Sequence, residues 1–151
     1  MIVYRVGATK WAGVLNGEGA RLYGGRWNEP GKPCIYTSEN RSLAVLEYTV
    51  NINIDDIPRR LSITTIEING SILKNSVSDL PGNWRASPLP ASTQQFGSRQ
   101  LEAAKYGILV FPSAIIPEEF NYILNPLHLD AASFKVLDVS DFVYDVRIKT
   151  V

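Results

Sequence analysis

The run Gly107-Ile108-Leu109-Val110-Phe111-Pro112 constrains the fold of this chain more than any other stretch. Consecutive apolar residues offer no polar face to water, so a strand made from them must be covered on both sides. Gly107 brackets it at one end. At the other, Pro112 lacks the amide that a ladder needs and closes it. The expectation is a central strand within a sheet flanked by helices. Ser113 then stands just past the end of a core strand, where ligands tend to gather in folds built from strands and helices.

Around that strand the chain has room for one domain, residues 1–151, large enough to bury a core without disulfides or metals. With 45% hydrophobic and 20% charged residues it reads as a soluble globular protein, and no window approaches a transmembrane span. Met1-Ile2-Val3-Tyr4-Arg5 lacks the basic start and apolar core of a signal peptide and reads as a first strand. A lone cysteine, Cys34, leaves no disulfide framework and agrees with a reducing cytoplasm. With a lone histidine, His128, it argues against zinc, and no metal is expected, although carboxylate-bound magnesium or calcium stays open.

Fifteen basic residues balance fifteen acidic ones, so no global field draws the protein to nucleic acid or anionic lipid. The charges are unevenly spread: residues 1–50 carry six basic and four acidic groups, and residues 114–151 three and six. The basic excess lies with Tyr23-Gly24-Gly25-Arg26-Trp27-Asn28, which favours an anionic ligand there. Two glycines free the backbone beside an arginine set between aromatics and an amide. A tight turn carrying an incidental surface arginine fits the same residues.

Along the chain, residues 9–15 suggest a short helix that Asn16-Gly17-Glu18-Gly19 ends. Cys34-Ile35-Tyr36-Thr37 is β-prone, and Thr37-Ser38-Glu39-Asn40 offers capping residues for a helix over about 41–50. Leu43, Leu46 and Val50 mark its apolar stripe, and Glu47 falls on that stripe. An inward glutamate is either a partly buried ion pair or a carboxylate presented into a cleft. Residues 61–68 read as a strand, and residues 71–92 as a long irregular connection of the kind that forms lids, with Trp84 as its anchor on the core. A helix over 93–104, weakened by Gly97, precedes the core strand; strands at 121–126, 134–139 and 142–148 follow.

Several chemistries can be set aside. The chain has neither a phosphate loop ending in Gly-Lys-Ser/Thr nor a Gly-x-Gly-x-x-Gly fingerprint after a strand. Ser113 with His128 lacks the Gly-x-Ser-x-Gly elbow of a hydrolase, and His128 reads as a structural histidine near Asn125-Pro126. What remains is Arg26, Tyr36, Glu47 and Ser113. A guanidinium fork matches phosphate, a tyrosine face stacks on a planar ring, and a carboxylate stabilises positive charge growing on a sugar. These groups suit cleavage of an N-glycosidic bond in a nucleotide, provided they converge.

The same residues carry a resemblance. Tyr4-Arg5, Gly24-Gly25-Arg26-Trp27-Asn28, Tyr36-Thr37-Ser38, Ser42-Leu43-Ala44-Val45-Leu46-Glu47, Trp84-Arg85, Gly97, Pro112-Ser113-Ala114 and Asn125-Pro126-Leu127-His128 occur in order over nearly the whole chain. In this the chain resembles the RES domain family, bacterial toxins named for an arginine, a glutamate and a serine. Those residues align with Arg26, Glu47 and Ser113, and the family's active-site tyrosine with Tyr36. Gln100, where many members have tryptophan, and Leu129, where proline is frequent, depart from the pattern away from these four.

The resemblance implies an α+β fold, a single domain with a central mixed sheet flanked by short helices and related to the ADP-ribosyltransferase toxins. It implies consumption of NAD as a substrate by hydrolysis or phosphorolysis, the latter with inorganic phosphate as co-substrate, or transfer of ADP-ribose to a protein. It also implies an antitoxin with a helix-turn-helix domain, which would do any DNA binding and block the toxin's cleft in a hetero-oligomer. On this reading Arg26 and Tyr36 hold the phosphate and the nicotinamide, Glu47 and Ser113 act on the ribose, and Arg5 and Asn28 are further NAD-binding candidates. A catalytically silent module that only docks the antitoxin is the remaining alternative.

Overall fold

A computed structural model describes residues 1–149. The apolar run forms strand β5 (Ile108–Pro112), and every residue of it is buried. It belongs to one sheet with β1 (Ile2–Ala8), β2 (Ile35–Ser38), β3 (Leu61–Glu67), β4 (Ile72–Lys74), β6 (Phe120–Leu124) and β7 (Lys135–Phe142). The order across the sheet is β4-β5-β6-β2-β1-β3-β7. β4 and β5 run parallel and the remaining pairs antiparallel, so the sheet is mixed and the fold α+β, as expected.

Alternation along the strands sorts the core into two layers. Ile108, Val110 and Leu124 face one way with Val3, Ile35 and Ile66. Leu109, Phe111 and Ile123 face the other way with Trp27, Cys34, Leu80, Trp84 and Leu101. This second face builds the site. Helix α2 (Arg41–Asn51) crosses β1 and β2, and the Asn40 side chain caps it by accepting from the Leu43 amide at 2.7 Å. Helix α3 (Ala91–Ala103) runs through Gly97 because the residue is needed: a Cβ there would lie 2.0 Å from the Trp27 carbonyl oxygen.

Several expectations are corrected. Residues 9–15 hold one 3-10 turn, Thr9–Trp11, and the helix forms instead at α1 (Glu18–Tyr23), with Gly17 in the left-handed region at its start. The stripe of α2 is carried by Leu43, Ala44 and Thr49, while Val50 is 57% exposed. Spacing from Leu43 and Ala44 still turns Glu47 inward. The connection 71–92 is not wholly irregular: β4 adds an edge strand and Trp84 is buried, the anchor expected of it. The last strand ends at Phe142, and Val146–Ile148 is a 3-10 turn.

Candidate active site

The Gly-Gly-Arg stretch closes a tight turn in which the Gly25 amide donates to the Asn28 carbonyl at 3.0 Å. Each glycine has a separate reason. Gly24 has φ 72°, which favours a residue without Cβ, and a Cβ on Gly25 would lie 2.6 Å from the Tyr36 hydroxyl. Trp27, next along, fixes the turn to the core by stacking on Phe111 with centroids 4.0 Å apart and planes 12° from parallel. The turn therefore holds Arg26 at a defined place on the sheet.

Arg26 Nη1 donates to the Trp84 carbonyl at 2.8 Å and the Ala86 carbonyl at 3.1 Å. Nη2 and Nε have no hydrogen-bond partner among the described residues, and no buried side-chain nitrogen or oxygen is left unpaired, so that edge of the guanidinium faces solvent. Partial burial lowers the Arg26 pKa, and the nearby Glu47 and Tyr36 oppose that shift. Arg26 is thus within electrostatic reach of both Glu47 and Tyr36.

Tyr36 projects from β2 on the same face. Its hydroxyl donates to Asn28 Oδ1 at 2.6 Å and accepts from the Trp27 amide at 3.0 Å. Burial raises its pKa well above the ordinary tyrosine value, so the phenol stays neutral. Both hydrogen bonds tie up the ring's polar end, and the half-buried ring is held rigidly. Cys34 beneath it is sealed off, and burial pushes its thiol up to about 12, which removes it as a nucleophile near neutral pH.

Glu47 reaches this face from α2. Its Oε1 accepts from Ser113 Oγ at 2.7 Å and from Asn121 Nδ2 at 2.7 Å. Oε2 has no partner among the described residues and is open to solvent. Ser113 is fully buried, and its Oγ also accepts from the Ile115 and Ile116 amides at 3.0 and 3.1 Å. Asn121 in β6 is oriented in turn by Ser38, whose hydroxyl donates to Asn121 Oδ1 at 2.7 Å. Sequence reasoning missed Ser38 and Asn121. The alternation of β6, which turns Asn121 to the same side as Ile123, was the available signal.

The structure thus brings Arg26, Tyr36, Glu47 and Ser113 together. Two other candidates are corrected. Arg5, two residues along β1 from Val3, shares that residue's face, opposite the one that carries the cluster, and its Nη2 donates to the carbonyls of Trp11, Ala12 and Val14, so it anchors the segment after β1. Asn28 is fully buried and spends its Nδ2 on the Ala20 and Lys32 carbonyls, so it positions Tyr36 and offers nothing to a ligand. His128 is structural, as expected: its Nδ1 accepts from the Asp130 amide at 3.0 Å. Its neighbour Asn125 bonds Gly107, at the start of β5, roughly 20 Å of strand from Ser113, and a Ser113–His128 pair is ruled out.

Among the described residues no group of three or more His, Cys, Asp or Glu is placed to hold a metal. No helix there is long and apolar enough to cross a membrane. Two open depressions elsewhere, beside Asp130 and beside Phe142, contain none of the four clustered residues.

Comparison with known proteins gives the family. The model of the RES domain matches residues 2–145. The chain belongs to the RES domain family. It is 36% identical to a toxin named Res from Yersinia enterocolitica (serotype O:8 / biotype 1B), an alignment covering 99% of this chain and 100% of that one. It is also 36% identical to a Prs ADP-ribosylating toxin from Sphingobium sp. (strain YBL2), over 89% of this chain and 86% of the relative. The toxin–antitoxin complex of M. tuberculosis MbcT and MbcA contains a chain of the same fold, with a TM-score of 0.76 and 16% identity over 94% of this chain and 84% of that one.

Proposed function

We propose that this RES domain chain is the toxin of a toxin–antitoxin pair and that it cleaves the bond between nicotinamide and ribose in NAD. The observation that carries the reading is the asymmetry of Glu47: one oxygen is fixed by Ser113 and Asn121, and the other is free. A carboxylate held this way is preorganised to stabilise an oxocarbenium-like sugar or hold its hydroxyls as nicotinamide leaves. Arg26, with its outer edge unspent, would bind phosphate, and the rigid Tyr36 ring would support the nicotinamide. Ser113 touches Glu47 and orients it. Water or phosphate completes the reaction, and growth stops as NAD is consumed. A cytoplasmic site of action follows from that substrate.

The partner proposed is an antitoxin carrying a helix-turn-helix domain, with a segment that blocks this cleft. Support for an antitoxin comes from the relatives named toxins and from the MbcT–MbcA complex. The name of the Sphingobium relative, an ADP-ribosylating toxin, favours a second reading, transfer of ADP-ribose to a protein acceptor. The deciding experiment is to purify the chain without a partner and identify products from labelled NAD with and without phosphate. Free ADP-ribose or its phosphorylated form supports cleavage, and label on a protein band supports transfer. NAD binding with no release of nicotinamide under any condition would leave a silent docking module.

A further inference from the structure

Arg85 has no part in the scheme above, yet it adjoins the same cluster of side chains. The segment 81–90 is tied down by the buried Trp84 ring, by the Trp84 and Ala86 carbonyls accepting from Arg26, and by Arg85 Nε donating to the Ala114 carbonyl at 3.0 Å. The backbone of residue 85 therefore lies between the two carbonyls that hold Arg26. Its side chain ends beside the residue after Ser113, the serine that holds Glu47.

Arg85 is exposed, and no ion pair among the described residues involves it. Its guanidinium lies 5.9 Å from the Trp84 ring centroid, which restricts its motion. Only Nε is engaged, so the pair Nη1 and Nη2 is available as a fork. With Arg26 it supplies two positive charges on the side of the sheet that carries Glu47. The pyrophosphate of a dinucleotide carries two negative charges.

We infer that Arg85 is a second phosphate-binding residue of this cleft and grips the pyrophosphate of the dinucleotide opposite Arg26. The inference rests on the NAD reading and extends it. It makes the 81–90 segment part of the substrate site, with the cation supplied by a loop that Arg26 itself holds in place. Affinity for the pyrophosphate then depends on Arg85, and the bond-breaking step does not.

The test compares the purified parent chain with Arg85→Ala and Arg85→Lys in steady-state NAD cleavage, with ADP-ribose and nicotinamide as separate inhibitors. Arg85→Ala is expected to raise KM for NAD and the inhibition constant of ADP-ribose about tenfold or more, with kcat within about threefold and nicotinamide inhibition unchanged. Arg85→Lys, which keeps charge but loses the fork, should fall between the two. A parent that consumes NAD together with an Arg85→Ala variant of unchanged KM and ADP-ribose inhibition overturns the inference alone. A lower kcat and altered nicotinamide inhibition at unchanged KM would assign Arg85 to holding the Ser113 loop and overturn it too. If the parent releases no nicotinamide and transfers no label, the reading of the site falls and takes this inference with it.

Discussion

The Ser113 hydroxyl donates to Glu47 Oε1 at 2.7 Å, joining residues 66 apart in the chain. This contact relates the two strongest constraints in the sequence, the apolar strand whose end places the serine and the helix whose spacing turns the glutamate inward. Asn121 adds a second donor to the same oxygen. The carboxylate is thereby locked in rotation while one oxygen stays available, which a surface glutamate on a mobile stem would not achieve.

Replacing Ser113 by alanine removes the donor to Glu47 and the acceptor of two half-buried amides, those of Ile115 and Ile116. A hydrogen bond contributes about 0.5–1.5 kcal/mol and a half-buried amide can recover part of it from water, so Ser113→Ala should lose about 1–2 kcal/mol in denaturant unfolding. Nicotinamide release should fall at least tenfold in the protein that remains folded. Full activity at undiminished stability would remove Ser113 from the scheme.

Glu47→Gln separates chemistry from architecture. The glutamine carbonyl can still accept from Ser113 and Asn121, so the thermal midpoint should move by no more than a few degrees. The negative charge is gone, and NAD turnover should drop on the order of 10²–10³-fold. Melting curves and nicotinamide release on the same preparation check both halves, and parent-like turnover would defeat the mechanism.

How far the sequence could be read follows from where each signal resides. β5 was legible because four apolar residues closed by proline admit few alternatives. Glu47 was legible because helical spacing from Leu43 is local, even though Val50, on the same predicted stripe, turned out exposed while Thr49 beside it is buried against Tyr144. Arg5 was misplaced because a basic residue in a strand gives no sign of which sheet face carries the site. For Asn121 the alternation of β6 could give only the face, because its partners Ser38 and Glu47 come from two other elements and that convergence is set by register, not by any motif. Gly97 looked like a weakness in a helix, and its use appears only with the Trp27 carbonyl against it.

Alkaline pH should destabilise the protein through Cys34. Burial raises this thiol from 9.0 to about 12, so the native state holds its proton more tightly than the unfolded chain. Below pH 9 both states are protonated and the contribution is complete; above it the unfolded chain ionises first, and stability declines until about pH 12. The full loss is at most about 4 kcal/mol. Tyr36, raised from 10.0, adds a second decline that begins higher. Urea midpoints from pH 8 upward should fall from about pH 9 in the parent and stay flat to about pH 10 in Cys34→Ala. Equal slopes in the two proteins would refute the assignment.

Gly97→Ala opposes two physical effects whose signs differ. Helix propensity favours alanine over glycine by about 1 kcal/mol in the middle of α3. The added methyl, however, would lie 2.0 Å from the Trp27 carbonyl oxygen and 2.7 Å from its carbon, backbone atoms that no side-chain rotation can move. Either α3 or the Gly25–Asn28 turn must shift, at a cost of about 3 kcal/mol, so the variant should be less stable by about 2 kcal/mol. Gly19 in α1 supplies the control, because a Cβ there meets nothing within 4 Å and Gly19→Ala should be neutral or slightly stabilising. Since Trp27 adjoins Arg26, the shift should also reach the guanidinium and lower NAD turnover in Gly97→Ala, with Gly19→Ala unaffected. Urea unfolding and nicotinamide release of the two variants decide the matter: if Gly97→Ala is as stable as Gly19→Ala, the close packing of α3 on the arginine turn is wrong.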